Sequence, residues 1–262
     1  MSCEPTTGDL TTAASWDHAW ASPGVDPASW LGRLRAAVHW KFDRMLCRFL
    51  DTTGTQAKDI LELGCAPGLI LERIHQLRPQ HRLHGVDFAS DGCQLARRHF
   101  QDVGVPVQIY EGDIRTIQLR RRYDLVLSCG LIEHFADPTE ILRCHVRLAA
   151  PGGLVVVTIP NFATPVVQFF LRRFHPEALT THNLALMRER TLADALRSVG
   201  LQDVRVGGAG GAQLVTDVSR PGVAGSIYRN VGRLWNLLVA ALPVAPWQAH
   251  FWGLGRVEAP SA

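Results

Sequence analysis

Asp59-Ile-Leu-Glu-Leu-Gly-Cys-Ala-Pro-Gly68 is the stretch that decides the fold. Its first five residues read as a short apolar strand, the next five hold a glycine-bearing turn, and Gly68 to Leu77 reads as a helix. Gly64 and Gly68 let the backbone turn tightly and approach a ligand, and the helix starting near Gly68 offers free N–H groups to an anion. A tight turn with no ligand is the competing reading of such a block. A dinucleotide fingerprint is not met, because Ala66 and Leu69 stand where its second and third glycines belong. Pro67 also removes a backbone donor, and no Gly-Lys-Ser/Thr follows to make a phosphate loop. The turn suits a smaller anion than a pyrophosphate.

Working outward, strands and helices alternate. Strands are expected at Arg82–Asp87, Val107–Glu111, Tyr123–Ser128 and Leu154–Ile159, with helices at Asp91–Val103 and Asp137–Ala149. The helix at 137 has Asp137 as N-cap, Pro138 at its first position and Glu140 at capping-box spacing. Gly152-Gly153 is expected to turn the chain into Leu154–Ile159, which is apolar on both faces as a central parallel strand should be. The pattern predicts an α/β fold: a Rossmann-like, doubly wound, mostly parallel seven-stranded sheet with helices on both faces. Ligands of such sheets sit beyond the carboxyl ends of the strands.

The flanks read less regularly. Residues 1–28 are expected to be an arm, and Ser29 to open a helix running through Trp30, Leu34, Val38, Phe42 and Phe49. Residues 29–262 read as one domain, with 57–160 its cofactor-binding core and 161–190 and 207–248 as acceptor-side cap segments. Within these, 162–175 is expected helical, Thr191–Gly200 a short helix, Val204–Val206 a strand, 207–211 a turn, Ser226–Ala241 a helix and His250–Val257 the last strand.

Composition bounds the function. Of 262 residues, 47% are hydrophobic and 19% charged, which excludes a disordered chain. The net charge of +3 is carried by scattered arginines, so no basic footprint for nucleic acid is expected. The six cysteines form no metal-spaced pair and read as reduced thiols. No secretory signal or membrane span is expected, so the reading is a cytoplasmic protein, monomer or homodimer.

Two carboxylates close successive strands. Asp87 is placed to accept both hydroxyls of a ribose, and Asp113 to accept from an adenine amine while Ile114 packs on the ring. Leu61-Glu-Leu-Gly-Cys-Ala-Pro-Gly68, Asp87, Asp113, Tyr123–Ser128 with Gly130-Leu-Ile-Glu-His134, and Leu148-Ala-Ala-Pro-Gly-Gly153 together resemble the class I S-adenosylmethionine-dependent methyltransferases over residues 57–160. Ala66 and Pro67 depart from the family's common first motif. The resemblance implies that Glu62, Gly64, Cys65, Ala66, Gly68, Asp87, Phe88, Asp113, Ile114, Cys129 and Gly130 hold S-adenosyl-L-methionine, with S-adenosyl-L-homocysteine as product.

The loop at 130–134 is similar to that of quinone-pathway O-methyltransferases. His134 is then the candidate general base, with Glu133 as orienter or charge partner. Some of those enzymes carry a further carboxylate in this loop for a metal; Gly130 stands there, so no metal is expected. Asn161, His182 and Asn183 are candidate acceptor-binding residues, Asn161 alternatively a helix cap, and Trp16 and Trp20 candidates to close over the cofactor. Arg120-Arg121-Arg122 reads as a solvated loop away from the site. The expected function is methyl transfer to a small-molecule acceptor, on oxygen; RNA or protein methylation and a non-catalytic cofactor-binding regulator are the alternatives.

Overall fold

The computed structural model describes residues 9–12, 15–16, 40–52, 54, 56–209, 226–228, 230–232, 234–235 and 249–259. In chain order the elements are α1 (Trp40–Asp51), β1 (Asp59–Leu63), α2 (Leu69–Leu77), β2 (Arg82–Asp87), α3 (Ser90–Val103), β3 (Val107–Glu111) and β4 (Tyr123–Cys129). They continue with α4 (Pro138–Leu148), β5 (Ala149–Pro160), α5 (Pro165–Phe174), α6 (Glu189–Ser198), β6 (Gln202–Ala209) and β7 (His250–Arg256). The seven strands form one sheet in the order β3-β2-β1-β4-β5-β7-β6. The first five are parallel, and β7 lies antiparallel between β5 and β6. The chain winds outward from β1 to β3, then returns to place β4 on the other side of β1. That reversal opens a crevice at the carboxyl ends of β1 and β4.

Strand alternation divides the core between the two faces. Leu61 and Leu63 of β1, Val126 of β4, and Val155, Val157 and Ile159 of β5 pack with Ile141, Leu142 and Leu148 of α4 and Leu192 and Leu196 of α6. Ile60, Leu125, Leu127, Leu154 and Val156 point the other way, onto Met45, Leu46, Phe49 and Leu50 of α1, Leu71 and Ile74 of α2, and Ala96 and Phe100 of α3. Both faces of the central strands are therefore dry, which is why they read as unbroken apolar runs. Each fully buried leucine or isoleucine here contributes about 1.5–3 kcal/mol by leaving water.

Local signals hold where they were strongest. The Asp137 side chain accepts from the Thr139 amide, and Pro138 occupies the first turn of α4. At two places the structure differs from the sequence reading. The turn expected at Gly152-Gly153 lies inside β5, which begins at Ala149 and changes register against β4 between Tyr123 and Leu125. The turn expected at 207–211 is strand as far as Ala209: the Trp252 indole lies over Gly207, where an added Cβ would come within 2.7 Å of the ring. Glycine there makes room for an aromatic side chain from the neighbouring strand.

The helix expected from Ser29 is described only from Trp40, and its earlier residues lie outside the described part. Trp20 and most of the 207–248 cap also lie outside it. Cys47, Cys65, Cys93, Cys129 and Cys144 are all free. Among the described residues no helix is long and apolar enough to cross a membrane.

Candidate functional site

The turn after β1 is tied to β2 by its backbone. The amides of Gly64 and Cys65 both donate to the Val86 carbonyl, at 2.8 and 3.2 Å. Gly68 caps α2 with φ of 102°, and a Cβ there would meet the Phe100 ring at 2.7 Å, so only glycine fits. Asp87 at the end of β2 is the centre of this corner. Its Oδ2 accepts from the Ala66 amide and its Oδ1 from the Ala89 amide, each at 3.0 Å, and its carbonyl accepts from Gly112. One residue thus fixes the β1 turn and the start of α3 through its carboxylate, and the β3 end through its main-chain carbonyl.

Beneath the turn, Glu62 is 2% exposed and its Oε2 has no partner. Burial first, and then the charge of Asp87, push its carboxyl well above the ordinary range. Burial likewise holds the Cys65 thiol protonated, reinforced by the two carboxylates.

Above these strand ends is a cavity lined by Gly64, Asp87, Phe88, Asp113, Ile114, Arg115, Leu131, His134 and Phe135. Its remaining wall is the N-terminal arm, through Asp9, Thr11 and Trp16. Arg115 ties the two parts together: it contacts both Asp113 oxygens, at 2.6 to 3.0 Å, and both Asp9 oxygens, at 3.0 and 3.1 Å. Burial works to raise Asp113, and the Arg115 side chain and amide outweigh it, holding the carboxyl below its ordinary value. Asp9 also makes an antiparallel bridge with Phe135, and the Leu10 amide donates to the His134 carbonyl at 2.9 Å.

His134 sits in a short 3-10 turn, Ile132–His134, that follows β4. Its Nδ1 lies 2.8 Å from the Thr181 carbonyl. A carbonyl only accepts, so Nδ1 carries the proton and Nε2 the lone pair. Burial lowers the imidazole's pKa, partly opposed by that carbonyl. Trp16 stands edge-on to the ring at 5.0 Å, and His182 packs on it at 4.4 Å, with Phe162 5.0 Å beyond. Glu133 points inward, is 1% exposed, and is pushed up to about 8 by burial. Donor atoms of Glu133, His134 and His182 lie within 4.8 Å of one another.

A model of the methyltransferase domain matches residues 60–153. The chain is 30% identical over 151 residues to a ubiquinone biosynthesis O-methyltransferase of Xanthomonas euvesicatoria pv. vesicatoria, covering 55% of this chain and 62% of that one. It is 28% identical over 110 residues to the protein of that name from Proteus mirabilis, covering 41% and 44%. The apo structure of the S-adenosylmethionine-dependent methyltransferase SibL shares the fold, with a TM-score of 0.57 at 16% identity over 98% of this chain and 64% of that one. Residues 60–153 therefore carry a methyltransferase domain. It spans about half to two thirds of the length of the curated relatives it matches.

Within this methyltransferase domain the structure gathers Gly64, Asp87, Phe88, Asp113, Ile114 and His134 on one cavity. Glu62, Cys65, Ala66 and Gly68 form the turn and its floor, and beside it Cys129 ends β4 and Gly130 follows it. The partner on His134 Nδ1 is the Thr181 carbonyl and not Glu133, whose Oε2 has no hydrogen-bond partner. Asn161 does not cap the following helix; Thr164 does, accepting from the Val167 amide. The Asn183 side-chain nitrogen donates to the Phe135 and Ala136 carbonyls at 3.3 and 3.2 Å.

The metal-free expectation rested on Gly130, and the loop pattern gave no sign that His182 would join Glu133 and His134. Sequence reasoning also missed Asp9, Thr11, Arg115, Leu131 and Phe135 as cavity walls. Arg115 two residues after Asp113 was a legible signal. Asp9, paired with Arg115 across 106 positions, had none.

Proposed function

We propose that this chain transfers a methyl group from S-adenosylmethionine to an oxygen of a small-molecule acceptor, with His134 as the proton acceptor. The observation that carries the reading is the His134–Thr181 contact, which leaves Nε2 as the basic nitrogen of a residue on the cavity wall. The cavity also suits the cofactor: Asp87 and Asp113 answer hydroxyls and an amine, and Phe88, Ile114 and Leu131 offer apolar surface to a base. No phosphate cradle is needed. The relatives named as ubiquinone biosynthesis O-methyltransferases support oxygen as the acceptor atom. The rings of Trp16, Phe162 and His182 around His134 support a flat acceptor.

When bound, S-adenosylmethionine supplies a methyl group on a cationic sulfur, already activated for in-line displacement. Asp87 and the β1 turn would hold its adenosyl part. The arm, through Trp16 and Asp9, walls the cavity from water. His134 takes the acceptor's hydroxyl proton on Nε2 as the oxygen attacks, and releases it to solvent afterwards. Alignment is the larger contribution, worth about 7–11 kcal/mol when reacting groups are held in place.

The test is transfer of labelled methyl from S-adenosylmethionine to a catechol such as 3,4-dihydroxybenzoate, with calorimetry against S-adenosylmethionine and NAD. His134→Ala should lower turnover about 100-fold or more. Tight NAD binding overturns the cofactor, and an unchanged rate in His134→Ala overturns the base. Metal-stimulated turnover that disappears in His182→Ala would replace the base by metal assistance.

A further inference from the structure

The stretch Glu133–Ala136 carries four consecutive carbonyls, and each is held from outside the loop. The Asn183 amide donates to Glu133 at 2.6 Å, the Leu10 amide to His134 at 2.9 Å, and the Asn183 side-chain nitrogen to Phe135 and Ala136 at 3.3 and 3.2 Å. Two residues before Asn183, the Thr181 carbonyl takes the His134 Nδ1 proton at 2.8 Å. The same three-residue segment therefore grips both the backbone and the imidazole of the candidate base. Thr181 is itself held by its amide and hydroxyl on the Glu177 carbonyl, at 3.0 and 2.9 Å, so the acceptor of the Nδ1 proton has a fixed place.

We infer that Asn183 is a positioning residue, which by clamping the Glu133–Ala136 backbone holds His134 against the Thr181 carbonyl and so sets the tautomer with Nε2 basic. The inference rests on the reading of His134 as base for its catalytic meaning, and on the hydrogen bonds alone for its structural meaning. Asparagine suits the task because its amide nitrogen has two protons, one for each carbonyl. Aspartate has the same shape and none. Without the side-chain clamp the 133–136 carbonyls lose two of their four hydrogen bonds or must find water, the main-chain amides of Asn183 and Leu10 staying on Glu133 and His134, and the 3-10 turn bearing His134 is freer to rotate away from Thr181.

Histidine 15N chemical shifts read the tautomer directly and need no acceptor. His134 is assigned by its absence in His134→Ala. The protein should show Nδ1 protonated and Nε2 bare at neutral pH. Asn183→Ala and Asn183→Asp should both lose that preference, and Asn183→Ser, which keeps one donor, should fall between and serves if the others do not fold. With 3,4-dihydroxybenzoate, Asn183→Ala should lower kcat roughly 100-fold, with S-adenosylhomocysteine affinity changed less than about threefold. A tautomer unchanged in all three variants overturns the clamp even if His134→Ala is inactive. A tautomer lost in Asn183→Ala beside full turnover in His134→Ala keeps the clamp and overturns only the base.

Discussion

His134 Nδ1 and the Thr181 main-chain oxygen lie 2.8 Å apart, joining the end of β4 to a segment 47 residues further along the chain. The contact fixes which nitrogen is basic, and burial fixes when: the imidazole pKa is held below its ordinary value. A base works in its neutral form, so turnover should rise with pH on a limb below 6.5 and stay level through neutrality. A kcat–pH profile between 5 and 9 checks this. In His134→Ala the limb should vanish, leaving a low rate insensitive to pH.

Asp87 does two things at once. It faces the cavity and accepts from the amides of Ala66 and Ala89. Hydrogen bonds to a charged group are worth about 1.5–3 kcal/mol each, so Asp87→Ala should both destabilise the protein and loosen the β1 turn. The expected result is loss of S-adenosylmethionine affinity by at least tenfold together with a lower Tm, read by calorimetry and thermal unfolding. Asp87→Asn keeps the shape and one acceptor, and should recover part of the stability with little of the affinity.

How far the sequence carries depends on the range of the interaction. The β1 turn, Asp87 and the α4 cap are local or follow the strand period, and they were legible from a few adjacent residues. The acceptor end was not, because its contacts join Asp9 to Arg115, Leu10 to His134 and Asn183 to Phe135 across wide stretches of chain. Polar residues such as Asn183 look identical on paper whether they bind a ligand or a carbonyl. The glycines at 207 and 208 misled for a related reason, since the aromatic residue that requires Gly207 is on β7.

Glu133 gives the apo protein a pH dependence of its own. Burial pushes its carboxyl from 4.5 to about 8, so the folded protein holds a proton that the unfolded chain has released over that interval. Stability therefore falls as pH rises through the window. Below 6.5 the buried histidines oppose this, because His145 and His182, both lowered to about 4, favour the fold as they lose protons. Between 6.5 and 8 the carboxyl acts without that opposition. Urea unfolding should show the protein less stable at pH 8 than at 6.5, and Glu133→Gln should remove part of that difference.

Asp9 closes the arm on the cavity through Arg115, with side-chain exposures of 12% and 15%. In Asp9→Ala the guanidinium keeps Asp113 as its partner, so no buried charge is stranded and the sheet should lose little stability. The arm loses its bidentate anchor and retains the Phe135 bridge and the Leu10 bond to His134. Dissociation of S-adenosylhomocysteine, measured by stopped-flow, should accelerate about tenfold, which corresponds to roughly 1.4 kcal/mol of lost closure. Association should change little, because the strand-end groups that meet the cofactor are untouched. Raising salt should have a weaker effect than the substitution, since a half-buried pair is screened less than an exposed one. A dissociation rate equal to that of the unaltered protein would show that the arm covers the cavity without latching it.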